Sequence, residues 1–184
     1  MGLVELMVAL AITASLLTAT AAALSAATDA YRINQQQAIL LQSERLTLNR
    51  MLSMIRRCQL HAPDSATPRT QFATGATVTD TGIDMYDANN VLNIYRYDST
   101  NQRLNLIIAG TTRPLMEGVT AFTVTMQPMR SYNSVRTGGP WDLLQRASIV
   151  LTVKTNASTS AGSEGMGEQT MTMSASVMPR RNTW

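Results

Sequence analysis

Few residues in this sequence are of a type that could form a catalytic centre. His61 is the only histidine, and a capping or surface position fits it better than a general-base role. Cys58 is the only cysteine, so no intrachain disulfide can form. The preceding Arg56 and Arg57 could activate its thiol, but burial as a small apolar residue is the expected role. One histidine without a supporting motif makes no Ser-His-Asp set, and we expect no enzymatic activity.

Oxygen ligands for a metal ion are concentrated in one stretch, DTGIDMYDANN. Asp80, Asp84, Asp87 and Asn89 could bind Ca²⁺ with their side-chain oxygens. Their spacing does not match an EF-hand loop, and acidic residues of this kind are common in turns. We therefore expect turn acids here, and no metal or cofactor.

Anion and glycan sites have little support in this sequence. The segment GSEGMG (162–167) lacks the Lys-Ser/Thr of a phosphate loop and is expected to be a flexible linker. The sequon at 156–158 is a single match in a Ser-rich stretch. Arg180 and Arg181 could contact DNA phosphates, but solvation is the simpler expectation. The net charge of +3 is too small and too scattered to indicate nucleic-acid binding.

A carboxylate precedes a membrane-length apolar segment near the start of the chain. Residues 6–28 contain no charged side chain, and Glu5 lies directly before them. As a helix of about 1.5 Å per residue, this segment could cross a bilayer core. It could be a plain anchor, or a signal peptide with small residues near its end. The absence of a basic N-terminal region disfavours the signal peptide.

Glu5 suggests a third function for the apolar segment. An ionised carboxylate at the edge of hydrocarbon costs several kcal/mol, on the order of the insertion penalties of charged residues, unless it is paired. The nearest candidate cation is the α-amino group of Met1, in the same chain or in an identical neighbour. Pairing between chains would neutralise both charges and fix the axial offset of two helices, which is how a helical polymer would set its register.

The segment GLVELMVALAI (2–12) resembles the mature N-terminus of type IV pilins and pseudopilins. In that family a leader is cut after a Gly, the new first residue is methylated, and the fifth residue is Glu. The resemblance implies that Met1 is the processed, methylated residue and that the chain is the form without its leader. It departs from many pilins at Ala22, where a helix-bending Pro is common. It also implies that assembly depends on apolar helix faces together with both ends of the charge pair: Met1, Glu5, Leu6, Val8, Leu10, Ile12, Leu16 and Leu17.

The helical pattern continues beyond the apolar segment. Apolar residues recur at Leu41, Leu48, Leu52 and Ile55, which predicts a face that packs on a globular domain. Three arginines between them, Arg45, Arg50 and Arg56, are expected to be solvated. Pro63 and Pro68 are expected to close this helical region. The division predicted is a transmembrane or filament-core helix at 1–28, an amphipathic helix at 29–62, and a head at 63–184.

Short strands follow in the head. Segments 82–88, 91–98, 103–110, 119–127, 147–155 and 169–178 are rich in β-formers, and several alternate apolar with polar residues. Asn89-Asn90 marks a tight turn between the first two. Exposed loops are expected at 127–145 and 156–169. The predicted fold class is α+β and pilin-like: a long N-terminal helix packed on an antiparallel sheet.

Three segments of the predicted head make the family resemblance more specific. LMEGVTAFTVTM (115–126), the region of Trp141 and the ending SVMPRRN (176–182) are similar to W-type minor pilins and J-type minor pseudopilins. The resemblance implies a structural subunit of a type IV pilus or of a type II secretion-like filament. The alternatives are a minor, tip or initiation subunit in adhesion, secretion or DNA uptake, and a simple membrane-anchored periplasmic domain.

Partners and location also follow from the resemblance. The implied partners are copies of this chain or other pilins, a prepilin peptidase that trims and methylates Met1, and an assembly ATPase with its platform protein. The location would be the bacterial inner membrane before assembly and a periplasmic or cell-surface filament afterwards. Binding of DNA or of a surface by the head has no support in the residues themselves.

Overall fold

The computed structural model describes residues 2–129, 143–154 and 170–179. The chain divides into two compact units, residues 1–41 and 42–184. In the described part of the first unit the backbone is helical from Leu3 onward. The second unit contains the end of that helix, a short second helix and the strands. The architecture is therefore α+β, as expected.

Helix α1 runs from Leu3 to Arg57. Arg56 and Arg57 lie in its last turn, where positive charge is favourable for the helix dipole. His61 follows, and its Nε2 lies 3.0 Å from the carbonyl oxygen of Ile55, in the last turn of the helix. The expected helical region extended to residue 62, but residues after Cys58 turn into a strand instead.

The remaining elements of the described residues are strands and one short helix, α2. Their bounds are β1 (Leu60–Pro63), α2 (Ala66–Ala73), β2 (Val78–Asp80), β3 (Gly82–Tyr86), β4 (Leu92–Asp98), β5 (Arg103–Ile108), β6 (Thr111–Glu117), β7 (Val119–Pro128), β8 (Leu144–Lys154) and β9 (Thr170–Val177). All pairings among them are antiparallel.

The strands form two sheets where a single sheet was expected. One has five strands in the order β1-β3-β4-β5-β6, and the other has four in the order β2-β7-β8-β9. The predicted strands correspond to β3, β4, β5, β7, β8 and β9. The elements β1, α2, β2 and β6 were not predicted.

The turn between β3 and β4 is built as the Asn pair suggested. The Asp87 carboxylate accepts hydrogen bonds from the backbone N–H groups of Asn89 and Val91, each at 2.9 Å. Asn90 adopts a φ of 64°, a left-handed conformation that Asn tolerates. These bonds close the hairpin and align Tyr86 with Leu92.

The core of the second unit combines one face of α1 with both sheets. Leu48, Met51 and Ile55 are buried on the helix, at the spacing of one helical face. Leu41 and Leu52 are half-buried, and the three arginines expected to be solvated are exposed. The largest fully buried strand side chains are Tyr95, Phe122, Ile83, Met85, Leu104, Leu106, Met126, Leu144 and Ile149.

Candidate assembly surface on the N-terminal helix

Glu5 lies in the first turn of α1 and closes it. Its Oε2 accepts a hydrogen bond from the Gly2 backbone N–H at 3.1 Å, while the Glu5 N–H donates to the Gly2 carbonyl at 3.0 Å. This reciprocal pair satisfies an N–H group that has no partner within a helix. A negative charge here is also favourable for the helix dipole. Within one chain, Glu5 thus stabilises the first turn of its own helix. Met1 lies outside the described residues.

The apolar segment is exposed on all sides in the single chain. The predicted assembly residues Leu6, Val8, Leu10, Ile12, Leu16 and Leu17 are each more than half exposed. At 100° per residue, Leu6, Leu10 and Leu17 share one side of the helix, whereas Val8, Ile12 and Leu16 share the opposite side. A helix that is apolar all round requires a membrane or protein neighbours. By length and composition α1 could cross a membrane.

Large apolar side chains recur at every seventh residue along the first unit. These are Leu3, Leu10, Leu17, Leu24 and Tyr31, which are 66% to 78% exposed. A spacing of seven keeps them on one side of the helix, as in the seam of a supercoiled helix pair. We call these five residues the heptad stripe. The sequence interpretation missed it, although the spacing is readable from the residues alone.

The heptad stripe continues past the apolar segment. Tyr31 lies beyond residue 28, on a stretch that contains Asp29, Arg32 and several glutamines. Further along α1, Ile39 and Leu46 are 60% and 71% exposed, but they lie eight and fifteen residues after Tyr31 and do not follow the heptad spacing. Exposed apolar side chains of this size are available to a protein neighbour.

Five of the six hydroxyl side chains in the apolar segment donate to a carbonyl within α1; Ser25 is the exception. Thr13, Thr18 and Thr20 donate to carbonyls three and four residues earlier, at 2.9–3.1 Å. Ser15 and Thr28 donate to carbonyls three residues earlier at 2.8 Å. Such bonds remove the penalty for placing a hydroxyl in an apolar environment.

The residues considered for calcium have other partners. Asp80 accepts hydrogen bonds from the N–H and Oγ of Ser65 at 2.7 Å and 2.6 Å. Asp84 forms an ion pair with Arg69, and Asp87 closes the hairpin described above. Within the described ranges, no group of three or more His, Cys, Asp or Glu side chains is placed to hold a metal. Turn acids were predicted: Asp87 lies at a turn as expected, whereas Asp80 and Asp84 lie in β2 and β3.

The two candidate catalytic residues are both buried. Cys58 is 5% exposed, and burial together with the charge of Asp87 raises the pKa of its thiol to about 11. The expected burial is confirmed, and the thiolate is disfavoured. His61 is fully buried, so the surface position expected for it is wrong. Its ring nitrogen near the Ile55 carbonyl agrees with the capping alternative.

Several predicted features lie outside the described residues. These are Met1, Trp141, the sequon at 156–158, the Gly-rich segment at 162–167, and Arg180 with Arg181.

Comparisons of the chain with family models, with curated proteins and with solved structures give no match.

Proposed function

We propose that this protein is a non-enzymatic structural subunit that polymerises through α1, in the manner of type IV pilins and pseudopilins. The observation that carries the proposal is the heptad stripe, a row of large exposed apolar side chains along one side of α1. The subunit is held in the inner membrane before assembly and displays its head from a filament afterwards. The resemblance of residues 2–12 to processed pilins supports the same function.

The energetics favour removal of this helix from water. Full burial of one leucine side chain stabilises by about 2 kcal/mol relative to water, so the stripe alone represents roughly 10 kcal/mol. A bilayer satisfies the part of the stripe up to Leu24. Tyr31 lies three residues beyond the apolar segment, after Asp29 and Ala30. A membrane interface or another protein surface would bury its ring, and the filament is the surface that this proposal assigns to it.

Glu5 sets the register of neighbouring helices in this proposal. The carboxylate is exposed and lies one turn from the chain start, within reach of the N-terminus of an adjacent copy. A charge that is paired with a neighbour's α-amino group is neutral within the apolar filament core, whereas an unpaired one is costly. The bond from Gly2 holds the Glu5 side chain near the end of the helix.

The proposal has two versions, which differ in the number of copies of this subunit in a filament. A repeated building block would be abundant in filaments, whereas a minor, tip or initiation subunit would be present in few copies. The similarity of residues 115–126 to minor pilins favours the second version. The peptidase, the assembly ATPase and the platform protein are then the partners that process the chain and extract it from the membrane.

Three variants test the proposal. Glu5→Gln keeps an acceptor for the Gly2 N–H but removes the charge, and Tyr31→Gln removes one stripe residue outside the apolar segment. Ala30→Gln is the matched control, because Ala30 is exposed but lies off the stripe. We expect Glu5→Gln and Tyr31→Gln to reduce the protein recovered in sheared filaments at least tenfold, with normal amounts in the membrane. Ala30→Gln should assemble like the wild type.

The intact mass of filament protein gives an independent measurement. A chain that begins with methylated Met1 supports the processed subunit, and its abundance separates building block from minor subunit. A chain that begins near Thr28 would show a cleaved signal peptide and would remove the basis of the proposal. Normal assembly of both Glu5→Gln and Tyr31→Gln would contradict the polymer proposal and leave the simple membrane anchor as the function of α1.

A further inference from the structure

The two sheets of the second unit end in edges of different character. In the four-stranded sheet, β9 is the last strand, and in the part of the chain that the structure describes no strand lies beyond it. β9 is eight residues long, TMTMSASV, and contains no charged residue and no proline. An edge strand of this kind offers a free row of backbone N–H and C=O groups to another strand.

The outer edge of the five-stranded sheet is protected. β6 contains Arg113, Pro114 and Glu117, and these side chains are exposed. Its pairing with β5 is interrupted by a register shift at Leu104 and Asn105. Charged residues, proline and bulges are the devices by which proteins prevent pairing at an edge. β6 has all three, and β9 has none.

The apolar face of the four-stranded sheet is incompletely covered at β9. Met171, Met173 and Ala175 lie on the core side and are half-buried. Their partners on β8, Val153, Leu151 and Ile149, are fully buried. Cover is therefore lost within a single strand spacing of about 4.8 Å. One more strand beside β9 would bury these three side chains.

The pattern of β9 is complementary to itself. When two β9 strands pair antiparallel with Ser174 opposite Ser174, Met173 lies opposite Ala175 and Thr172 lies opposite Ser176. The alternative with Met173 at the centre also keeps apolar residues opposite apolar ones. No charges meet in either register, and like faces match across the pair.

We propose that β9 is a docking edge for a second copy of this chain, paired antiparallel through β9 of that copy. The pairing joins two four-stranded sheets into one continuous sheet. It requires neither the apolar segment nor Glu5, so it does not depend on the function proposed above.

Cysteine cross-linking of the full-length protein in nonionic detergent micelles tests this contact directly. Ser174→Cys places two thiols at the centre of one register, within the distance that a disulfide spans. A double variant, Thr172→Cys with Ser174→Cys, covers the other register. Thr123→Cys is the matched control, since Thr123 lies in the same row two strands further in. Under mild oxidation we expect at least half of the Ser174→Cys or double-variant chains to form disulfide dimers, with little dimer for Thr123→Cys.

A charge at the edge provides the second measurement. Met173→Lys introduces a charge that a paired strand would bury, and we expect it to reduce cross-linking at residue 174 at least fivefold. Met178→Lys, at an exposed site just after β9, should not change it. The absence of dimer in both cysteine variants would overturn the proposal, whether or not the lysine variant folds. Equal cross-linking by Thr123→Cys, or capture of a different protein at residue 174, would also overturn it.

Discussion

Replacement of Asp84 with Asn is expected to remove much of the pH dependence of the stability of the head. Asp84 lies on β3 and is 6% exposed. One carboxylate oxygen accepts a hydrogen bond from Arg69, and Oδ1 has no partner among the described residues. Burial, together with the nearby charge of Asp64, raises the pKa of Asp84 from 3.8 to about 6, although Arg69 and Arg96 oppose the shift.

The direction of the effect follows from proton binding. The folded state binds the proton of Asp84 more tightly than the unfolded state, because the folded pKa is the higher one. Stability therefore rises as the pH falls through 6 and gains nothing further below the unfolded pKa. Between pH 7 and pH 5 this amounts to about 1 kcal/mol in the free energy of unfolding. For a domain of this size that is a rise of roughly 3 °C in Tm.

Thermal unfolding of the full chain in detergent, followed by near-UV circular dichroism of the tyrosines, measures this rise at pH 7, 6 and 5. Burial also raises the pKa of Glu44, but Glu44 is present in wild type and variant alike. The difference in slope is therefore assigned to Asp84. Asp98→Asn is the control: the pKa of that exposed carboxyl is lowered by hydrogen bonds from Asn101, so its effect lies below this pH range. Identical slopes for wild type and Asp84→Asn would refute the reasoning.

Two further substitutions test the packing of the head. Met51→Ala removes a fully buried side chain on α1 and should lower the free energy of unfolding by about 2–5 kcal/mol in urea titration; Leu46→Ala, at a site 71% exposed, should change it by less than about 0.5 kcal/mol. Gly82→Ala should destabilise the head by roughly 1–3 kcal/mol, because its Cβ would lie 2.7 Å from the Asp64 Cβ and 3.0 Å from the Tyr95 carbonyl oxygen. Unchanged stability of Gly82→Ala would show that β1 and β3 adjust freely at this point.

The strands with clear alternation were predictable because one buried face imposes a period of two. β9 is an example: its Met and Ala residues lie on the core side, and its Thr and Ser residues lie on the solvent side. β6 was missed because TTRPLME has no such pattern. Its place is set by a two-residue turn at Ala109 and Gly110, both with positive φ. Ala at such a position gives no turn signal, unlike Asn or Asp.

The second helix was missed for a different reason. Pro68 was expected to help close the first helical region, but that helix ends at Arg57, and Pro68 lies in the first turn of α2, where no backbone N–H is needed. The burial of His61 depends on the pairing of β1 with β3, a contact between distant parts of the chain that spacing cannot reveal.

The candidate assembly surface is more accessible to sequence analysis than the head. Glu5, the apolar segment and the heptad stripe are local properties of one helix, so residue type and spacing are enough to define them. The sequence predicted the α-amino group of Met1, in the same chain or in a neighbour, as the partner of Glu5, and did not predict the hydrogen bond from the Gly2 N–H. The surface that the heptad stripe contacts belongs to a second molecule. Residue types and spacing in one chain do not show how two molecules pack together.

The hydroxyl bonds within α1 have a consequence for movement of the helix between surroundings. Thr13, Ser15, Thr18 and Thr20 carry their acceptors with them on the same backbone. When this part of the helix leaves lipid for a protein interior, these four hydroxyls keep their acceptors, so the transfer strips none of them of its partner. For these groups the two environments differ only in side-chain packing, whereas the charge of Glu5 still requires a partner.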